Sequence, residues 1–161
     1  MKVLRNLLGL AVLTALFTLA GGVAAQAQAP DMNKAHIDYR QSLMKSVGFH
    51  AGSMGAILKG EWAKEDAAAH ARGLAADALL IGNAFKAQTT DVKTDAKPEI
   101  WKDAAKFEEK AKALQMETGK LAEVAAGGNM ADIGAQQKKV GEACGGCHKE
   151  FRKPKEQSFK N

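Results

Sequence analysis

The chain has 161 residues, 46% of them hydrophobic and 25% charged, which is enough for one domain with a real core. Aromatics make up only 6%, poor material for a strand-rich fold, and two cysteines cannot build a disulfide framework. The formal net charge is +5, and beyond residue 27 it falls to 21 basic against 18 acidic residues, so no basic stripe suited to nucleic acid is present.

Residues 1–29 begin with Lys2 and Arg5, continue through an apolar run from Leu7 to Ala20, and reach the small-x-small triplet Ala25-Gln26-Ala27. This is the pattern of a removed secretory signal, with cleavage expected after Ala27 and Ala25 as the runner-up. The apolar run is too short for a membrane anchor and no stop-transfer segment follows. The expected organisation is therefore a signal peptide over 1–27 and one mature domain over 28–161, exported to a bacterial periplasm with no stable membrane insertion. That compartment is oxidising, so two cysteines there require an explanation.

The remainder reads as helix. A first segment, 31–59, opens after Pro30 with Asp31 and Asn33 as capping candidates and ends at Gly60. Its predicted inward stripe is Ile37, Arg40, Met44, Val47, Ala51, Gly55 and Leu58. A second segment, 65–87, repeats Ala67, Ala71, Leu74, Ala78, Ile81 and Phe85 at spacings of four and three. The polar stretch from Gln88 to Lys97 follows and reads as a loop tolerant of variation. A third segment, 98–126, keeps Ile100, Ala104, Phe107, Ala111, Leu114, Thr118, Leu121 and Ala125 on one seam, with Pro98 in its first turn and Gly127-Gly128 beyond its end. A fourth, 131–153, sets Ile133, Val140, Cys144, Cys147 and Phe151 on one side and stops before Pro154. Sustained period-two alternation is absent. The expected fold is all-α, an antiparallel four-helix bundle. Many seam positions are alanine, so either the helices pack very closely or something else, such as a bulky prosthetic group, fills the core.

Cys144-Gly145-Gly146-Cys147-His148 is a C-x-x-C-H sequence, the attachment signature of c-type haem. Cysteines three apart share a helix face and can form thioethers with two vinyl groups of one porphyrin. His148, directly after, reaches the iron as an axial ligand. A thioredoxin-type pair would sit at a helix start after a strand; structural zinc would need a second ligand pair; a vicinal disulfide would leave His148 unexplained. One covalent haem c, with its iron, is the reading that uses all five residues. Gly145 and Gly146 are poor helix formers whose backbone can lie against the macrocycle.

A haem motif near the C-terminus of a four-helix chain resembles the class II cytochromes c, the cytochrome c prime family. The likeness spans essentially the mature chain, through Tyr39-Arg40-Gln41-Ser42, Lys59-Gly60-Glu61, Ile100-Trp101, Phe107 and Cys144 to Arg152. High-spin members carry an apolar, non-ligating residue four after the first-helix arginine, whereas low-spin members carry a ligating methionine. That position is Met44 here, so the resemblance implies His148 and Met44 as the two iron ligands. Counted from the helix ends, Met44 lies roughly 20 Å along the first helix and His148 roughly 8 Å from the end of the last. Side chains lean toward their own N-terminus, which brings the two closer. The ordinary alternative for Met44 is a pliable core residue. Met54 is the next candidate but sits roughly 80° round the helix from Met44; His36 and His50, which could also ligate, fall at least as far round, and His70 is on another helix.

Arg40, one turn before Met44, is a candidate partner for a haem propionate, and Arg152 matches a family arginine beside the proximal histidine. Lys138, Lys139, Lys149, Lys153 and Lys155 are a candidate surface for acidic redox partners. These readings converge on a periplasmic six-coordinate electron carrier, not an enzyme, serving unidentified periplasmic redox proteins. The alternative is a five-coordinate protein that binds nitric oxide or carbon monoxide. Many family members pair through their first two helices, so a homodimer is carried as an option.

Overall fold

A computed structural model describes residues 31–89 and 93–159; the export segment and its expected cleavage sites lie outside the described residues. The first long helix, α1 (Met32–Leu58), starts where the Asp31 carboxylate accepts the backbone N–H of Asn33 and Lys34. It ends before Gly60, whose φ of 76° requires a residue without a side chain. A single 3₁₀ turn, Lys64–Asp66, leads into α2 (Ala67–Ala84). The expected third helix is divided. A short α3 (Glu99–Lys102) stops at Asp103, whose φ of −123° and ψ of 59° leave the helical region. The same residue then caps α4 (Ala104–Ala126) by accepting the Lys106 N–H. Asn129 caps α5 (Met130–Phe151), and a 3₁₀ turn, Lys155–Gln157, follows Pro154.

The four long helices form the bundle, packed most closely α1 on α2, α2 on α4 and α4 on α5, while α1 and α5 scarcely touch. Seam residues of α2 and α4 are buried almost as spaced: Ala67, Ala71, Leu74, Ala78 and Ile81 meet Phe107, Ala111, Leu114, Leu121 and Ala125. Ala104, counted into that seam, is exposed because the break at Asp103 precedes it. On α1 the buried stripe also departs from the expected one. Ile37, Arg40, Leu43, Met54 and Ile57 are buried, and Met44, Val47, Ala51 and Leu58 are half-buried beside them. The reason is that α1 packs chiefly on α2, so the deepest stripe turns that way.

The loop before α3 is not a neutral connector. Lys97 N–H donates to Phe151 O at 3.0 Å and Lys153 N–H to Asp95 O at 2.8 Å, an antiparallel clip on the end of α5. Asp95 also accepts from Ser158 Oγ and Phe159 N and faces Arg152 at 3.7 Å. The expectation of a tolerant loop is corrected at Asp95 and Lys97, whose backbone groups are tied to the end of α5 and the residues just beyond it.

Candidate haem site

Cys144, Cys147 and His148 lie in the last two turns of α5, upstream of that clip. Both cysteines are half-buried thiols packed against the core. Burial pushes both thiols above their ordinary pKa, for Cys147 with added repulsion from Cys144 and Glu150. A nucleophilic thiol centre needs the opposite shift, so this environment disfavours disulfide-exchange chemistry. Desolvation, and secondarily the Arg152 charge, holds the His148 imidazole below its usual pKa. The neutral imidazole is the form that ligates a metal.

His148 is exposed and lines an open cleft of about 600 Å³ with Lys97, Gly145, Lys149, Arg152, Lys153 and Lys155. Lys149, Lys153 and Lys155 of the expected cationic group are there; Lys138 and Lys139 lie two or more turns back along α5 and do not line it. Arg152 serves both as a charge beside His148 and as the partner of Asp95. On the α4 side, Lys106 and Lys110 both pair with Glu150, at 2.6 and 3.7 Å, stitching the motif-bearing turn to its neighbour.

Across from α5, the helix register locates Met44. A Cβ built on Gly134 would lie 3.5 Å from Leu58 Cδ2, which fixes where antiparallel α1 and α5 come level. Fourteen residues back along α1 (58 to 44) and fourteen forward along α5 (134 to 148) lead to Met44 and His148. Each step covers about 21 Å, so by this register the offset counted from the helix ends shrinks. Met44 shares the half-buried stripe of Leu58, the residue that meets α5. A Cβ added at Gly48, Gly52 or Gly55 meets nothing within 4 Å, so no described helix approaches these glycines. Met54 is wholly buried in the core, and His50 and His70 contact each other.

Arg40 has a different setting from the expected one. It is 3% exposed and turned toward the end of α2, where Nε donates to Ala84 O at 2.7 Å and Nη1 to Thr89 Oγ1 at 2.9 Å. Nη2 donates to Ala87 O, and the guanidinium lies 5.0 Å from the Phe85 ring centre and 5.2 Å from that of Trp101. Trp101 Nε1 in turn donates to Phe85 O at 2.8 Å. Propionate pairing is thus confined to the N–H groups these contacts leave over. Thr89 and Asp95 are site-shaping residues that sequence reasoning missed, since their partners lie far off in the chain, and Trp101, noted only for the resemblance, gains its role as a neighbour of Arg40.

The residues present fit a haem c. Two inward thiols at thioether spacing and an adjacent neutral imidazole stand on the one pair of neighbouring long helices that barely pack together. Cys144, Cys147 and His148 would hold it.

Comparison with known proteins agrees. The family model described as Cytochrome C' matches residues 35–152. A cytochrome c' of Rhodospirillum rubrum is 34% identical over 143 residues, covering 88% of this chain and 95% of the relative. The fold is similar to a nitric oxide complex of a cytochrome c prime variant from Alcaligenes xylosoxidans, at a TM-score of 0.69 and 32% identity, over 76% of this chain and 97% of that one. A carbon monoxide-bound variant of the same protein matches with a TM-score of 0.69, 32% identity and the same coverage. The chain belongs to the cytochrome c' family, the class II c-type cytochromes, and is a four-helix-bundle haem c protein.

Proposed function

We propose that this chain is an exported, periplasmic haem c protein that captures a small diatomic ligand, nitric oxide or carbon monoxide, at its iron. The observation that carries this reading is the similarity to cytochrome c prime structures holding those two gases. The sequence alone ranks electron transfer first; the gas-bound relatives reverse that order. When bound, the haem supplies an iron able to take a diatomic ligand or to change oxidation state. The chain's own residues do the rest. Cys144 and Cys147 would fix the macrocycle to α5, and His148 would hold the iron in its neutral form. Arg152 would set the charge felt by that imidazole. Export is supported by the basic start, apolar run and small-x-small triplet of residues 1–29. Among the described residues no helix is long and apolar enough to cross a membrane.

One residue favours a second reading. Met44 stands where the family's gas-binding members carry a non-ligating side chain, and its half-buried position supports thioether ligation. With both iron faces taken, the protein would carry electrons at a raised potential, and the lysines beside His148 would receive an acidic partner. The absorption and electron paramagnetic resonance spectra of the purified protein, with and without carbon monoxide, test both. A high-spin spectrum that changes promptly on adding the gas upholds capture. A low-spin spectrum, indifferent to the gas and converted to high spin by Met44→Leu, overturns capture and establishes the carrier.

A further inference from the structure

Outside the haem motif, the one close pair of metal-ligating side chains among the described contacts joins α1 to α2. His50, on α1, and His70, in the first turn of α2, are half-buried, with Nδ1 atoms 3.1 Å apart and ring centres 5.3 Å apart at 61°. The placement is over-determined. A Cβ at Gly73, one turn beyond His70, would lie 2.4 Å from His50 Cε1, 2.5 Å from Nε2 and 2.9 Å from Nδ1. A glycine there leaves the His50 imidazole the space it occupies against α2. The Phe49 ring contacts both imidazoles at 5.3 and 5.5 Å, and Trp62 approaches His70 at 6.4 Å. Phe49 and Trp62 are themselves more than half exposed, so this corner opens to solvent.

We propose that His50 and His70 form a binding site for one divalent first-row transition ion, copper(II) bound more tightly than nickel or zinc. The separation is what coordination needs. Two imidazole nitrogens about 2.05 Å from a shared ion stand roughly 2.9 Å apart at a right angle and roughly 3.4 Å apart at a tetrahedral one. The observed 3.1 Å falls between these values. In the free protein one Nδ1 donates its N–H to the other; binding moves that proton to Nε2 of the donor ring, so that both Nδ1 lone pairs can turn to the common point. Imidazole suits copper, nickel and zinc, and copper(II) leads the affinity order for a nitrogen site. No group of three or more ligating side chains occurs among the described residues, so water completes the coordination and the ion exchanges freely. His50 lies about 120° round α1 from Met44, so the site is independent of the haem and of the function proposed for it.

The test is calorimetric titration of the haem-loaded protein with copper(II) and with nickel(II) in a non-coordinating buffer. The wild type takes up one ion per chain, copper more tightly. His50→Gln and His70→Gln each weaken uptake by at least about tenfold, and His36→Gln, elsewhere on α1, leaves it unchanged. The helical circular dichroism and the haem spectrum of each variant verify its fold. Failure of the wild type to bind, or equal binding by the His50→Gln/His70→Gln double variant, overturns the proposal, and neither result bears on what the haem does.

Discussion

Replacing Arg40 by methionine keeps much of the side chain's length and removes every donor. Three acceptors lose a partner together: the Ala84 carbonyl, the Ala87 carbonyl and the Thr89 hydroxyl. Each buried acceptor left unsatisfied costs about 1–3 kcal/mol. Loss of the cation–π contacts with Phe85 and Trp101 adds roughly 1 kcal/mol. Burial of the guanidinium works the other way, since desolvation holds its pKa below the ordinary arginine value and that cost disappears with the charge. The balance is a destabilisation of about 3–5 kcal/mol, equivalent to a fall in Tm of roughly 10–20 °C for a domain of this size. Urea unfolding of the haem-loaded protein, followed by circular dichroism, measures it. A loss below about 1 kcal/mol would refute the assignment of Arg40 as the clamp on the end of α2. A small loss accompanied by a displaced haem absorption band would move Arg40 to the propionate instead.

Asp95→Ala removes the acceptor of Ser158 and Phe159 and the partner of Arg152. The segment after α5 should become protease-sensitive and stability should drop by about 1–2 kcal/mol, read by limited digestion and urea titration; an intact tail argues against the clip. Gly73→Ala drives a methyl into the His50 ring, so it should cost roughly 1–3 kcal/mol and abolish the imidazole contact, visible as altered histidine ring resonances. On α4, hydrogen bonding to Lys112 holds the Glu108 carboxyl below its ordinary pKa of 4.5. A depressed folded-state value stabilises the protein above the unfolded pKa and ceases to as pH falls through the folded one. Lys112→Ala should therefore lower stability at neutral pH and change nothing once both carboxylate forms are protonated. Because the pair is exposed, the neutral-pH effect should also fade in high salt.

The seams of α2, α4 and α5 were readable because each is a run of apolar residues at helical spacing packed closely against its neighbours. The motif was readable because its five residues are contiguous. What escaped were features decided by chain segments far apart. Asp103 looks like one more polar residue in a helical run, and only the break between α3 and α4 makes it a cap. Asp95 and Thr89 carry no local pattern, and their partners come from α5, the chain beyond it and α1. The stripe of α1 was misjudged by about one ridge for the same kind of reason. Periodicity states that a helix has an inner face without saying which neighbour it meets, and α1 packs far more on α2 than on α5.

That lopsided seating of α1 bears on how the protein matures. With one flank packed along α2 and little contact with α5, α1 is placed like a door hung on α2. Thioether formation needs the cysteine-bearing turns reachable, and a door can stand ajar while α2, α4 and α5 are already closed on one another. Ligand-linked closure of this kind would make hydrogen exchange of the α1 amides, more than those of α4, report whether the prosthetic group has been installed.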